Sequence, residues 1–315
     1  MMSPKLLLTN KCNRACEFCF QTSMAIRDAE ISIPDFNSLL LWLKFQNINT
    51  LTLLGGEPTI HRNFSHLLKL ANDMNFHINM LSNLLFKKDI FSFFKNIQNI
   101  CANITLFDTY TITEQNRILE NLATLENLKI DVLLSCTIYK TDQSIEHILG
   151  IAKKYSNIRE IRLDLARPSI DKKNKYISIK KIESHKTQLL SYIREVESIG
   201  LNVLFDCPFP KCFFTSEEIN SYDLPSKGLS HNECGNLLIN PDLSIASCPF
   251  YNLTEKKITD FSSFSEAKEF IVDNKEIERL KYSVCSLPLC KTCQSRIDKS
   301  CTGYCIAEKA IYNQN

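Results

Sequence analysis

Glycine is scarce, with seven in 315 residues. Glycine frees the backbone and lets another group approach without a Cβ in the way, so in this chain each glycine invites a reason. Long apolar runs are missing too. The longest, residues 39–43 and 90–94, are short and flanked by lysine, far below the roughly 20 residues a membrane-spanning helix needs. An export signal is absent: one lysine and then Leu6–Leu8 precede the polar Thr9-Asn10-Lys11, which leaves too short an apolar stretch. Neither sign of charge dominates. Lys and Arg number 37 against 35 Asp and Glu, a net charge of +2, which gives no basis for a nucleic-acid or membrane-surface partner. The lysine-rich stretch 171–181 also holds Asp, Asn and Ser and reads as a solvated loop. Repeats and low-complexity tracts are lacking. These absences together predict a cytoplasmic protein without a membrane or nucleic-acid partner.

Cysteine, by contrast, is abundant, at 14 residues. A secreted chain so rich in cysteine would be stapled by disulfides. This one shows no export signal and is long enough to build a core without staples. Clustered cysteines in a reducing compartment are more often metal ligands.

The first two thirds alternate strand-like with helix-like segments. Apolar β-type runs lie at 5–9, 50–54, 77–81, 104–107, 129–136, 158–163 and 201–205. Segments of helical period lie between them, at 36–45, 64–74, 88–97, 114–125, 144–155 and 179–199. The first helix opens on Ser32-Ile33-Pro34-Asp35, a good N-terminal signal. Such alternation implies βαβ units and a parallel sheet with right-handed crossovers. The expected fold is α/β, a partial (β/α)6 TIM-like barrel with its working residues at the C-terminal strand ends; an open doubly wound sheet is the alternative. After about residue 205 the periodicity fades, and nine of the 14 cysteines fall between Cys207 and Cys305. The chain therefore divides into a barrel at 1–206 and a loop-rich module at 207–315. So long a loop-rich stretch buries little apolar surface, and bound metal clusters are the expected support.

Cys12, Cys16 and Cys19 form a C-x3-C-x2-C loop directly after the first strand. Three thiolates at this spacing can hold three irons of a 4Fe–4S cube and leave the fourth iron open to another molecule. A structural zinc would want a fourth Cys or His, and none lies nearby in the sequence. Two adjacent glycines, Gly55 and Gly56, then end the second strand and are followed by Glu57-Pro58. They let the backbone approach a ligand, and Glu57 offers a carboxylate that an ammonium can pair with. Taken alone, the pair also reads as an ordinary turn before a solvated Glu.

The cysteine spacing, Phe18 before the last cysteine, and Thr9-Asn10-Lys11-Cys12-Asn13 resemble the radical S-adenosylmethionine (SAM) superfamily. Gly55-Gly56-Glu57-Pro58 is similar to that family's motif for the SAM amino group. The resemblance implies a 4Fe–4S cluster on Cys12, Cys16 and Cys19, with SAM on the open iron. Ser82-Asn83-Leu84 looks like the family's Thr-Asn-Gly, with Leu84 where glycine is usual. Asp108 sits where many members carry a Ser-x-Asp-Gly ending. Ser82, Asn83, Ser135 and Arg162 are candidate SAM contacts, with ordinary strand-end hydrogen bonding as the alternative.

Cys290-x2-Cys293-x7-Cys301-x3-Cys305, with Cys285, Cys234 and Cys248 before it, resembles the auxiliary-cluster extension called SPASM, or its shorter twitch relative. It departs from the usual pattern in three ways. The x7 loop replaces x5, Leu243 stands where glycine is usual five residues before Cys248, and no further cysteine follows Cys305. The resemblance implies one or two auxiliary 4Fe–4S clusters. One would use Cys234, Cys248 and Cys305 with Cys212 or Cys207. The other would use Cys290, Cys293 and Cys301, with Cys285 as candidate fourth ligand and water, substrate or a carboxylate as alternatives. One or two structural zincs are the competing reading. Cys101 and Cys136, in apolar strands, read as core thiols.

The implied reaction takes an electron from an external ferredoxin- or flavodoxin-like donor and cleaves SAM reductively to a 5′-deoxyadenosyl radical. That radical abstracts hydrogen from a substrate held in the closed barrel mouth. Enzymes with this extension often modify peptides or proteins by oxidation, epimerisation or cross-linking, so such a substrate is expected. With eleven residues before Cys12, no leader-binding domain is expected there, and a peptide would need a separate recognition protein or direct contact with the barrel. A dehydrogenase of a small metabolite and a non-catalytic zinc-binding adaptor are the alternatives. No general acid or base is assigned; Asp108, Asp164, Tyr110 and Cys207 are the candidates.

Overall fold

The computed structural model describes residues 3–20, 29–169, 173–231, 237–248 and 256–312. Strand β1 (Lys5–Leu7) leads to α1 (Ile33–Phe45), β2 (Thr50–Leu54), α2 (Phe64–Asp73), β3 (His77–Ser82) and a 3-10 segment (Lys88–Asn96). Then come β4 (Ile97–Asn103), α3 (Ile112–Asn127), β5 (Asp131–Ile138), α4 (Glu146–Ala152), β6 (Ile158–Leu165), α5 (Glu183–Ser198) and β7 (Asn202–Leu204). The helix starts follow the local chemistry. Ser32 caps α1 by accepting from the Asp35 N–H, and Thr111 and Glu114 cap α3 reciprocally.

Strands β1 to β7 pair in parallel and in sequence order. The sheet curls without closing. In a flat sheet, β1 and β7 would stand about 29 Å apart at the usual strand spacing. Yet Lys5 Nζ of β1 lies 3.9 Å from Asp206 Oδ1, just past β7, which requires the sheet to wrap so that the two meet across its inside. This is the expected partial barrel, and the loops after each strand gather at one end.

Two elements differ from expectation. The fourth strand is Ile97–Asn103, not 104–107. The chain turns at Ile104, where the Phe107 N–H donates to its carbonyl, and Phe107–Thr109 is a 3-10 turn. The expected helix over 88–97 is a 3-10 segment. Phe91, Phe94 and Ile97 recur every three residues, which matches a 3-10 period better than an α period. Phe86, Phe91 and Phe94 pack edge-to-face with centroids 5.1–5.7 Å apart.

Beyond β7 lie α6 (Ser216–Ser221), β8 (Leu238–Ile239), β9 (Ile245–Ala246), α7 (Phe264–Val272), α8 (Lys275–Tyr282), α9 (Gln294–Ile297) and α10 (Ile306–Tyr312). The β8–β9 hairpin joins the barrel sheet, with β8 parallel to β1. Trp42 Nε1 of α1 donates to the Phe261 carbonyl at 3.2 Å. One apolar cluster runs through both parts, from Leu6 and Ile161 to Ile258, Ile277 and Tyr304. Among the described residues, no helix is long and apolar enough to cross a membrane.

Candidate metal and cofactor site

The loop after β1 is fixed by backbone contacts that only glycine permits. Gly56 N–H donates to the Thr9 carbonyl and Glu57 N–H to the Lys11 carbonyl, each at 2.8 Å. A Cβ on Gly56 would sit 2.2 Å from Lys11 O, and one on Gly55 2.6 Å from Thr9 O. The two glycines thus bring the β2 end against the cysteine loop itself, a more local role than the ligand approach their pairing predicts.

That clamp sets Glu57 beside Cys12. Glu57 is fully buried. Its Oε1 accepts from Thr59 N–H (3.2 Å), Thr59 Oγ1 (2.7 Å) and Ser82 Oγ (3.0 Å), and its Oε2 from Asn83 N–H (2.8 Å). Burial still pushes its carboxyl above the usual range, against those bonds. Asn83 Nδ2 donates to Asn13 Oδ1 at 2.7 Å and stands 4.0 Å from Cys12 Sγ. Cys12 shows an edge to solvent, but packing around its sulfur pushes the thiol up to about 12; the Glu57, Cys16 and Cys19 charges add to this, and the Arg14 N–H opposes it. Cys16 is raised as well, mainly by burial. The structure therefore brings together Cys12, Cys16, Cys19, Gly55, Gly56, Glu57, Ser82 and Asn83.

Side chains of the loop itself and their partners on neighbouring segments anchor it to the barrel. Arg14 Nη2 donates to Thr109 Oγ1 at 2.9 Å, Nη1 lies 3.6 Å from Glu114 Oε2, and the guanidinium sits 3.9 Å from the Tyr110 ring centroid. Tyr110, a candidate acid, is thereby packed under the loop. Asn174 Nδ2 donates to the Phe18 carbonyl at 2.9 Å, and the Phe18 ring lies 5.4 Å from that of Tyr139. The signal for Arg14 was its place inside C-x3-C; Asn174 had none.

Ser135 and Arg162 meet each other. They are register partners on β5 and β6, and Arg162 donates to Ser135 Oγ at 3.0 and 3.2 Å. Arg162 also pairs with Asp164 (2.9 Å) and Asp206 (3.6 Å). Burial raises the Asp164 carboxyl despite this pairing. Cys101 faces the same network through Arg162 and Ser135, so its surroundings are polar, not the apolar core expected of it. Cys101 stands two residues before Asn103, the register partner of Ser135, so alternation along β4 puts it on the same face as Ser135 and Arg162. Cys136 is fully buried, as expected. Asp108 is exposed.

The C-terminal thiols fall into two neighbourhoods. Cys212 lies within electrostatic reach of Cys290, Cys301 and Cys293. Lys211 N–H and Gly303 N–H point at Cys301 Sγ, at 3.5 and 3.2 Å. Gly303 takes a positive φ of 71°, and a Cβ on it would stand 3.5 Å from Cys290 Sγ, so the glycine keeps backbone close to two sulfurs. Cys207 lies within reach of Cys305 instead. Its thiol is pushed up to about 12 by burial, against the Arg167 charge. Cys285 is exposed, Cys248 follows β9, and Cys234 lies outside the described residues. Among the described residues, no three His, Cys, Asp or Glu side chains converge on a point that would seat one ion. An iron–sulfur cube asks for something else, since each thiolate takes a different iron and the donors surround a volume. The grouped thiols, with backbone N–H groups aimed at the Cys301 sulfur, fit that donor set.

Residues 6–153 match the family model of the radical SAM superfamily. The sporulation killing factor maturation protein SkfB of Bacillus subtilis (strain 168) is 25% identical over 165 residues, 50% of this chain and 40% of that protein. The alignment thus spans less than half the length of that curated relative. Among solved structures, Streptococcus suis SuiB bound to S-adenosylmethionine superposes with a TM-score of 0.65 at 16% identity, covering 97% of this chain and 73% of that one. The enzyme anSMEcpe, with bound AdoMet and the Cp18Cys peptide, superposes with a TM-score of 0.62 at 17% identity, covering 96% and 89%. These likenesses establish the shared fold, a mostly parallel α/β sheet in an unclosed barrel.

Proposed function

From the radical SAM match over residues 6–153, we propose that this chain is a radical SAM enzyme that modifies a side chain of a peptide or protein. The observation that carries the reading is the backbone clamp of Gly55-Gly56-Glu57 on Thr9–Lys11, which sets a buried carboxylate and Asn83 beside the cysteine loop. Cys12, Cys16 and Cys19 would ligate the cluster, and Glu57, Ser82 and Asn83 would line the SAM side. When bound, cluster and SAM would supply the radical chemistry for hydrogen abstraction. Glu57 is the natural partner of an ammonium, because a cation beside it offsets the cost of burying its charge. Arg14 and Phe18 of the loop, and Asn174 outside it, anchor the loop to the barrel. A peptide substrate is supported by relatives: SkfB is a maturation protein, SuiB has been solved bound to precursor peptide SuiA, and anSMEcpe with a bound peptide. An external one-electron donor completes the scheme.

The neighbourhoods of the C-terminal thiols favour one auxiliary set of Cys212, Cys290, Cys293 and Cys301, and a second of Cys207 and Cys305 with Cys248 and Cys234. Cys285 has no part in this arrangement.

The test is iron, sulfide and zinc per chain after anaerobic reconstitution, together with 5′-deoxyadenosine formed from SAM and reductant. Three clusters give about twelve irons, and the triple Cys12→Ala/Cys16→Ala/Cys19→Ala variant about eight, with no SAM cleavage. Cys212→Ala is expected to lose about four irons, and Cys285→Ala none. Stoichiometric zinc with iron unchanged in the triple variant would overturn the reading.

A further inference from the structure

Arg167 lies two residues past the end of β6, on the barrel's working end, and is 2% exposed. Its Nη2 reaches the Pro208 carbonyl at 3.4 Å, the long end of a hydrogen bond. Its Nε and Nη1 are buried and find no acceptor among the described residues. The guanidinium lies 4.3 Å from the Tyr304 ring centroid, and the charges that act on it come from Tyr304, Cys207, Cys305 and Asp164. Asp164 is already committed: Arg162 Nε holds Oδ2 at 2.9 Å, and Asp206 N–H donates to Oδ1 at 3.0 Å. A buried cation with two unpaired nitrogens is costly unless an anion answers it. The enclosure favours a resident anion over a substrate that must come and go. Buried Glu308 also acts on Arg167 by its charge, but its Oε1 accepts from Ser178 Oγ and the Ile179 N–H, and no ion pair joins it to Arg167 among the described residues. That leaves Cys207 and Cys305, thiolates on metal ligation, as the groups to answer the open nitrogens.

We propose that Arg167 is the fixed counter-ion of an iron–sulfur cluster ligated by Cys207 and Cys305, its open N–H groups answering the cluster's sulfur and its charge easing reduction. This rests on the auxiliary ligand set proposed above. Adding an electron adds negative charge to the cluster, so a neighbouring guanidinium favours the reduced form, and hydrogen bonds to sulfur act in the same direction.

The experiment is an EPR-monitored redox titration of the reconstituted full chain, with iron counted in each sample. Arg167→Gln is expected to keep its iron while one auxiliary midpoint shifts to more negative potential. Arg167→Lys, which keeps the charge, should recover most of the shift. All midpoints unchanged in a fully loaded Arg167→Gln protein would overturn the proposal. If Arg167→Gln does not load, the wild-type chain labelled with 15N-arginine decides. Pulsed EPR of the reduced auxiliary clusters should show a 15N coupling, and its absence overturns the assignment. Failure of the underlying ligand set reads differently: Cys207→Ala and Cys305→Ala would then lose no iron.

Discussion

The two cysteine regions are built by opposite means. At the N-terminal loop all three thiols lie within eight residues, and two backbone hydrogen bonds, made possible by Gly55 and Gly56, hold the loop on the β2 end. In the C-terminal module the thiols come from separate segments, and buried cations on backbone carbonyls tie them. Lys309 Nζ donates to Leu280 O (2.9 Å), Lys281 O (3.0 Å) and Thr302 O. Arg296 donates to Lys281 O, Thr302 O (2.6 Å) and Val284 O (2.9 Å). The first design keeps its shape through steric fit and ordinary amide bonds. The second keeps its shape through buried charges satisfied by carbonyl oxygens, so the loss of one cation frees several carbonyls at once.

The largest effect should come from breaking the steric fit. Gly56→Ala places a methyl 2.2 Å from the Lys11 carbonyl, where backbone must move. A displacement of about an ångström at a reacting centre costs roughly 100-fold in rate. SAM cleavage is expected to fall by at least that much, with about four irons lost and the other eight kept. Equal loss from all clusters would show that the two regions are not independent.

On the other side, Lys309→Met removes three carbonyl partners at once. Hydrogen bonds to charged groups are worth about 1.5–3 kcal/mol each, so a loss of about 3 kcal/mol or more is expected. Hydrogen exchange should place that loss in residues 275–312, with β1 to β6 still protected. Uniform loss would mean that the module and the barrel unfold as one.

How much of this was legible in the sequence follows the same divide. The cysteine loop, Glu57 and the alternating barrel could be read directly, because their signals are local. The fourth strand was misplaced, since the spacing of Phe91, Phe94 and Ile97 imitates a helix. The partnering of Cys212 was hidden, because 77 residues of chain separate it from Cys290. Two departures from the family pattern, however, were marked in the sequence and have a common meaning. Leu84 and Leu243 stand where glycine is usual, and both take positive φ, 60° and 68°. Both are buried, at 0% and 3% exposure. Left-handed backbone costs a leucine about 1–2 kcal/mol, while deleting a buried leucine side chain costs about 2–5 kcal/mol. Leu84→Gly and Leu243→Gly should therefore each destabilise by about 1–3 kcal/mol in a denaturant titration. A stabilised variant would show that backbone strain outweighs packing at that site.

The smallest effect belongs to His61, which braces the clamp from behind. Its Nδ1 accepts from Asn63 N–H at 3.1 Å, so Nε2 carries the proton it gives to the Ile31 carbonyl at 2.9 Å. That tautomer is neutral, and burial holds the imidazole below its ordinary value. The unfolded chain therefore takes up a proton first as pH falls. Stability from this group is complete above the unfolded value, near 6.5, and declines as pH drops from there toward the lowered folded value. Thermal melts of wild type and His61→Gln should diverge above that pH and converge below it. The same dependence in both proteins would place the titrating group elsewhere. Because the described partners of His61 lie on the N-terminal side, the proposed C-terminal clusters should keep their iron across the whole range.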